Sequence, residues 1–131
     1  MRLLLDTHIW LWCLIDPAKL SSGVAKELAD RENEIWLSPI SSWETLALAR
    51  KGRIDLGSEP ERWIREAWIR TGPREAALTN EVALQSVSLD LPHADSAGRF
   101  IAATASVYDL TLVTADARLV RSLEFSVLPN R

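Results

Sequence analysis

Four carboxylates stand where carboxylates can do chemistry together. Asp6 directly follows the short apolar run Arg2-Leu3-Leu4-Leu5, and Asp116 follows Thr111-Leu112-Val113-Thr114 after one alanine. Both runs are too short for a confident helix and read as buried strands, so the two acids lie just past strand ends. Glu44 and Asp95 lie at or near the starts of two helical segments. In an open parallel sheet, ligands bind beyond the carboxyl ends of the strands, and helices that follow strands begin at that same edge. If strand one lies beside strand four, Asp6 and Asp116 flank a topological switch point, and the four carboxylates can converge on one crevice. Packed like charges repel and drive pKa values up. A hard divalent cation removes that conflict, and oxygen-only ligands suit Mg²⁺ or Mn²⁺.

Each acid also has an ordinary use. Asp6 and Asp116 could be turn or cap residues, Asp95 an N-cap, and Glu44 the partner of Ser41 in a capping box. The functional reading rests on their combination. His8 and His93 have no paired metal-ligand spacing, so solvent-facing or structural roles compete with ligation. Cys13 lies on an apolar segment with no evident base beside it and reads as core. Arg50, Lys51 and Arg53 could contact phosphate or simply complement a helix C-terminus. Neither a GxxxxGK[ST] phosphate loop nor a GxGxxG dinucleotide loop is present, which removes support for ATPase and dinucleotide-dependent oxidoreductase readings.

The elements that must position these residues alternate along the chain, as in an α/β domain. Strands are expected at Arg2 to Leu5, Glu34 to Leu37, Glu75 to Leu78, Thr111 to Thr114 and Phe125 to Leu128. Helices are expected from Ile9 to Ile15, from a Ser21 or Ser22 cap to about Glu32, and from a Ser41 or Ser42 cap to about Lys51, stopped by Gly52. Further helices span about Glu59 to Arg70, Asn80 to Ser86, an Asp95 or Ser96 cap to Tyr108, and Arg118 to Leu123. Ala97, Ile101, Ala102 and Ala105 share one side of the Asp95 helix and permit close packing on a sheet. The expectation is a three-layer α/β/α domain over residues 1–131 with a central, mostly parallel sheet of about five strands.

Composition sets the outer bounds. The chain has 131 residues, 47% hydrophobic and 25% charged, as expected of one folded domain. One cysteine excludes an intrachain disulfide framework and a multi-cysteine zinc site. No apolar run approaches the ~20 residues of a membrane helix, and no signal peptide is evident because Asp6 interrupts the first apolar stretch; a cytoplasmic location is the expectation. Fifteen basic and eighteen acidic residues give a net charge of −3, unlike a basic protein that coats nucleic acid. Setting aside the four candidate carboxylates leaves fifteen basic and fourteen acidic residues, a net charge of +1, so RNA is not excluded. Twelve of the basic residues are Arg, which mildly favours anion recognition and also fits a GC-rich genome. The six Trp residues read first as core; Trp10, Trp12 and Trp43 could also serve an interface.

With these residues in view, the sequence resembles PIN-domain ribonuclease toxins of the VapC type. Leu3-Leu4-Leu5-Asp6-Thr7-His8 is similar to their opening motif. Ser38-Pro39-Ile40-Ser41-Ser42-Trp43-Glu44, continued by Lys51-Gly52-Arg53-Ile54, is similar to the second. Leu91-Pro92-His93-Ala94-Asp95 with Arg99-Phe100-Ile101-Ala102-Ala103-Thr104-Ala105 is similar to the third, and Leu112-Val113-Thr114-Ala115-Asp116 to the fourth. The resemblance covers nearly the whole chain in order. It implies a Rossmann-like α/β/α fold and a Mg²⁺- or Mn²⁺-dependent endoribonuclease acting on structured RNA such as tRNA or a ribosomal RNA loop. It also implies a cognate VapB-type antitoxin partner and a homodimer. Carried over by motif, Asp6, Glu44, Asp95 and Asp116 are the acidic set, and Thr114 orders the Asp116 end. Arg50, Lys51, Arg53 and Arg99 are candidate phosphate contacts. The chain departs from the pattern at Gly98, where relatives carry an acid. Either Asp95 is the surviving ligand or the third carboxylate is missing, and the alternative function is an attenuated PIN domain that binds antitoxin or RNA without cutting. A haloacid-dehalogenase-type phosphotransferase is disfavoured by His8 where a second Asp is needed. A receiver-like domain is disfavoured by the lack of an N-terminal acidic pair and of a Lys after the last strand.

Overall fold

Leu3, Leu4 and Leu5 are all buried, at 0–3% exposure, so both faces of their strand must be covered. The computed structural model, which describes residues 1–92 and 94–131, shows how. The strand Arg2–Leu5 (β1) lies in the middle of a five-stranded sheet with Glu34–Leu37 (β2), Arg74–Glu75 (β3), Thr111–Thr114 (β4) and Val127–Pro129 (β5). The order is β3-β2-β1-β4-β5, and every pairing is parallel. Side chains alternate across β1. Leu4 packs with Ile101, Ala102 and Leu112 on one face, while Leu3 and Leu5 pack with Ile9, Trp10 and Val113 on the other.

Helices fill both outer layers. Thr7–Ile15 (α1), Ser22–Ala29 (α2), Pro39–Arg50 (α3) and Pro60–Thr71 (α4) contribute to the Leu3 and Leu5 side. Asn80–Ser88 (α5), Ser96–Tyr108 (α6) and Ala117–Val120 (α7) contribute to the Leu4 side. This is the expected three-layer arrangement. Strand order reverses between β1 and β4, so the switch point falls between the strands that precede Asp6 and Asp116. Among the described residues no helix is long and apolar enough to cross a membrane.

Several boundaries differ from the sequence expectation for identifiable reasons. The third helix is capped by Ser38, not by Ser41 or Ser42. Ser38 Oγ accepts from the Ile40 N–H at 3.0 Å, and Pro39 takes the first helical position, where its missing N–H costs nothing. Ser41 is buried instead, with its hydroxyl 2.9 Å from that of Thr7. The Ser41–Glu44 capping box therefore does not form, and Glu44 lies in the second turn. The short β3 carries only the Trp36–Arg74 and Leu37–Glu75 pairings. Asp6 caps α1, which starts at Thr7, and α7 is a single turn capped by Asp116. Trp10 is fully buried, with the rings of Trp63 and Trp68 at 6.4 and 6.2 Å, whereas Trp43 is 57% exposed.

Candidate active site

The backbone ladder carries Asp6 to the switch point: its N–H donates to the Val113 carbonyl at 2.9 Å, one step past the last β1 residue. Asp6 Oδ1 accepts from the Thr7 N–H at 2.9 Å, and Oδ2 accepts from Thr114 Oγ1 at 2.6 Å. Thr114, fully buried at the end of β4, also accepts the Asp116 N–H at 3.0 Å. One hydroxyl thus ties the two strand ends together, a broader role than ordering Asp116 alone.

Asp6, Glu44, Asp95 and Asp116 all line one cavity of about 250 Å³, together with His8, Trp12, Gly98 and Arg118. Asp95 caps α6, its Oδ1 accepting from the Gly98 N–H at 2.7 Å. Asp116 is gripped by Arg118: Nε donates to Oδ1 at 3.0 Å, Nη2 to Oδ2 at 2.7 Å, and the Arg118 N–H to Oδ1 at 2.9 Å. His8 is exposed, and its ring lies 6.1 Å from that of Trp12. His93, weighed as a ligand, lies outside the described residues.

The electrostatics divide the acids. Burial pushes the Asp6 carboxyl above its ordinary range; the neighbouring Asp116 adds to this, while Thr114, Thr7 and His8 offset part of it. Burial also pushes Glu44 up, and the charges of Asp6 and Asp95 push it further. Asp116 is held below its ordinary range, chiefly by the Arg118 hydrogen bonds. Burial pushes the Cys13 thiol up, which disfavours its thiolate.

Asp6 and Glu44 bind protons more tightly in the folded state than in the unfolded one. In metal-free protein their contribution to stability is greatest in acid. It falls as pH rises from the ordinary values of 3.8 and 4.5 through the raised folded ones. Asp116 has the opposite sign: it stabilises above pH 3.8, and that is lost as pH falls through its depressed value. With EDTA present, wild type is expected to lose stability relative to Asp6→Asn as pH rises above about 4. Urea unfolding across a pH series measures this, and parallel profiles would contradict it.

A hard dication fits the donor set. Four carboxylates and no sulfur line the cavity, and two of them are driven toward protonation by burial and by neighbouring carboxylates. Among the described residues, no three His, Cys, Asp or Glu side chains are already gathered around one point. The pairings explain why: Asp116 is held by Arg118, and one oxygen of Asp95 is held by the α6 backbone.

The basic residues separate by place. Arg50, Lys51 and Arg53 are exposed at the C-terminal end of α3 and do not line the cavity. Arg99 does not serve phosphate in this geometry. Its guanidinium donates to the carbonyls of Ser86, Leu91, Leu89 and Val87 at 3.1, 2.6, 3.0 and 3.5 Å, tying α5 and its following loop to α6. Arg99→Ala is expected to cost about 2–3 kcal/mol by removing charged hydrogen bonds to these carbonyls, two of which, Leu89 and Leu91, keep a backbone donor. Arg99→Lys should recover little, since an ammonium cannot fork across these acceptors; chemical denaturation checks both, and wild-type stability would remove the clip. The basic residue that does line the cavity is Arg118, which the sequence reading did not place there. The spacing Asp116-Ala117-Arg118 just past a strand end was its available signal.

The sequence matches the family model for the PIN domain over residues 3–122. It is 32% identical over 117 residues to "Ribonuclease VapC22" of Mycobacterium tuberculosis (strain ATCC 25618 / H37Rv), covering 88% of each chain. Among solved structures, the VapBC2 complex from Rickettsia felis bound to a promoter DNA fragment contains a similar chain, with a TM-score of 0.74, 18% identity and 98% of both chains covered. A DNA-bound VapBC from Salmonella typhimurium gives a TM-score of 0.72 with 16% identity, again covering 98% of both.

Proposed function

The chain belongs to the PIN-domain family and is of the VapC type, and from that premise we propose that it is the toxin of a toxin–antitoxin pair, a divalent-metal-dependent endoribonuclease. The observation that carries the reading is the convergence of Asp6, Glu44, Asp95 and Asp116 on one cavity at the β1/β4 switch point. The substrate class we infer is structured RNA such as tRNA or a ribosomal RNA loop.

A divalent cation (Mg²⁺ or Mn²⁺) held by these carboxylates would supply Lewis acidity toward the scissile phosphate and a bound water acidified toward neutral pKa. Asp6 is the fixed ligand, because Thr7 and Thr114 hold both of its oxygens in place. Glu44 projects from the second turn of α3 into the cavity lining and would complete the acidic set that holds the ion. Asp95 keeps one oxygen on the Gly98 N–H and offers the other. Thr114 keeps the Asp116 backbone in register with Asp6. Arg50, Lys51 and Arg53 would meet phosphates only along an RNA that extends past the cavity.

The VapBC structures motivate the partner, a VapB-type antitoxin, and the family resemblance implies a homodimer. Exposed apolar side chains such as Trp43 and Ile69, 57% and 81% accessible, give such partners surface to cover. The binding-only alternative is not favoured, since four carboxylates still line the cavity despite Gly98. Incubation of a total tRNA pool with the purified chain and Mg²⁺, Mn²⁺ or EDTA tests the proposal. Discrete fragments with metal and none with EDTA are expected; fragments that persist in EDTA, or no cleavage of tRNA or ribosomal RNA, would overturn it.

A further inference from the structure

Among the described residues, the pairing of Asp116 with Arg118 has no counterpart at the other three acids. Asp6 is held by a hydroxyl and a backbone N–H, and Asp95 by a backbone N–H. Among the described residues, Asp116 is the acid of the four paired with a cation, gripped through both carboxylate oxygens. A two-point guanidinium–carboxylate contact is the strongest common ion-pair geometry. It occupies both oxygens with which Asp116 would hold a metal. Arg118 also lines the same cavity.

We propose that Arg118 is an internal counterion that competes with the divalent cation for Asp116, so that metal loading requires the guanidinium to leave the carboxylate. This rests on the metal-dependent reading of the cavity and adds to it a positioning residue that sets metal affinity. Three observations support it. Among the described residues no three carboxylates are gathered around one point, and the fork engages one of the four. Arg118 is on a single-turn helix with its side chain half exposed, so solvent can take up the guanidinium as it leaves the carboxylate. A guanidinium released beside the cavity remains within reach of a substrate phosphate, for which its planar donor fork is suited. Arg118 would thus neutralise the acidic cluster while metal is absent and give way when it binds.

The test is Mn²⁺ binding by calorimetry on the full chain, with no RNA present. Arg118→Ala is expected to tighten Mn²⁺ about five- to tenfold, the scale of an exposed but two-point ion pair lost as a competitor. Arg118→Lys should fall between that variant and wild type, since an ammonium makes a single contact. In an Asp116→Asn background the Arg118→Ala effect should shrink to less than twofold (about 0.4 kcal/mol). Unchanged or weaker Mn²⁺ binding in Arg118→Ala overturns the proposal. So does equal tightening with and without Asp116, which would mean simple charge repulsion. Tightening without RNA cleavage by either protein would keep the counterion and overturn the nuclease reading. No Mn²⁺ binding by any variant overturns the metal reading and the counterion with it.

Discussion

Asp6→Asn is expected to reduce metal-dependent RNA cleavage by about a thousandfold while leaving the fold intact. Loss of a metal ligand removes transition-state charge stabilisation worth several kcal/mol, and each 1.4 kcal/mol is a factor of about ten. The fold should survive because the amide oxygen can still accept from the Thr7 N–H, and the Thr114 hydroxyl can turn to accept from the amide nitrogen. Removing a buried charge whose ionised form is disfavoured should also stabilise the metal-free protein near neutral pH. The expected pattern is therefore a dead enzyme that melts at or above the wild-type temperature in EDTA and gains no stability from Mg²⁺. Single-turnover cleavage with thermal melts with and without metal reads all three. A loss of activity explained by unfolding would contradict the assignment.

Gly98→Asp is expected to tighten divalent-metal binding about tenfold and to raise cleavage at limiting metal by a similar factor, since ligand charge count tunes affinity at carboxylate sites. Gly98 lines the cavity on the first turn of α6, three residues after Asp95 and so on the same helix face. A Cβ there would stand 3.0 Å from Asp95 Oδ1 and 3.7 Å from the Ala94 Cβ, so the carboxylate tip of Asp95 must shift by a few tenths of an ångström. That loosens the Asp95 cap while helix propensity improves, so the stability change should be small. Gly98→Ala adds the same Cβ without charge and should not tighten metal. If it does, displacement of Asp95 is the cause and not an added ligand. Unchanged binding in Gly98→Asp would mean position 98 does not face the ion.

How much of this was legible in the sequence follows from what each residue depends on. Asp6 and Asp116 were readable because an apolar run buried on both faces and then interrupted by an acid marks a strand end. The sheet rule places strand ends around a switch point. The start of α3 was misplaced because Ser41 and Ser42 compete as caps with the Ser38-Pro39 pair, and the preference of proline for the first helical position decides it. That correction frees Glu44 from the capping box and strengthens its place in the site. The extents of β3 and β5 were weakly signalled because these edge strands have no buried residue, and that of α7 because it is a single turn. The roles of Arg99 and Arg118 were not legible, since nothing in residue type tells a phosphate-binding guanidinium from one closed on carbonyls or on a neighbouring carboxylate.

The central claim is that these carboxylates hold a divalent cation, and an anomalous difference map from Mn²⁺-soaked crystals of the full chain tests it most directly. An anomalous peak is expected within coordination distance of Asp6, shared with at least one of Glu44, Asp95 and Asp116. A well-ordered cavity with no peak at saturating Mn²⁺, or a peak only elsewhere on the surface, would contradict it.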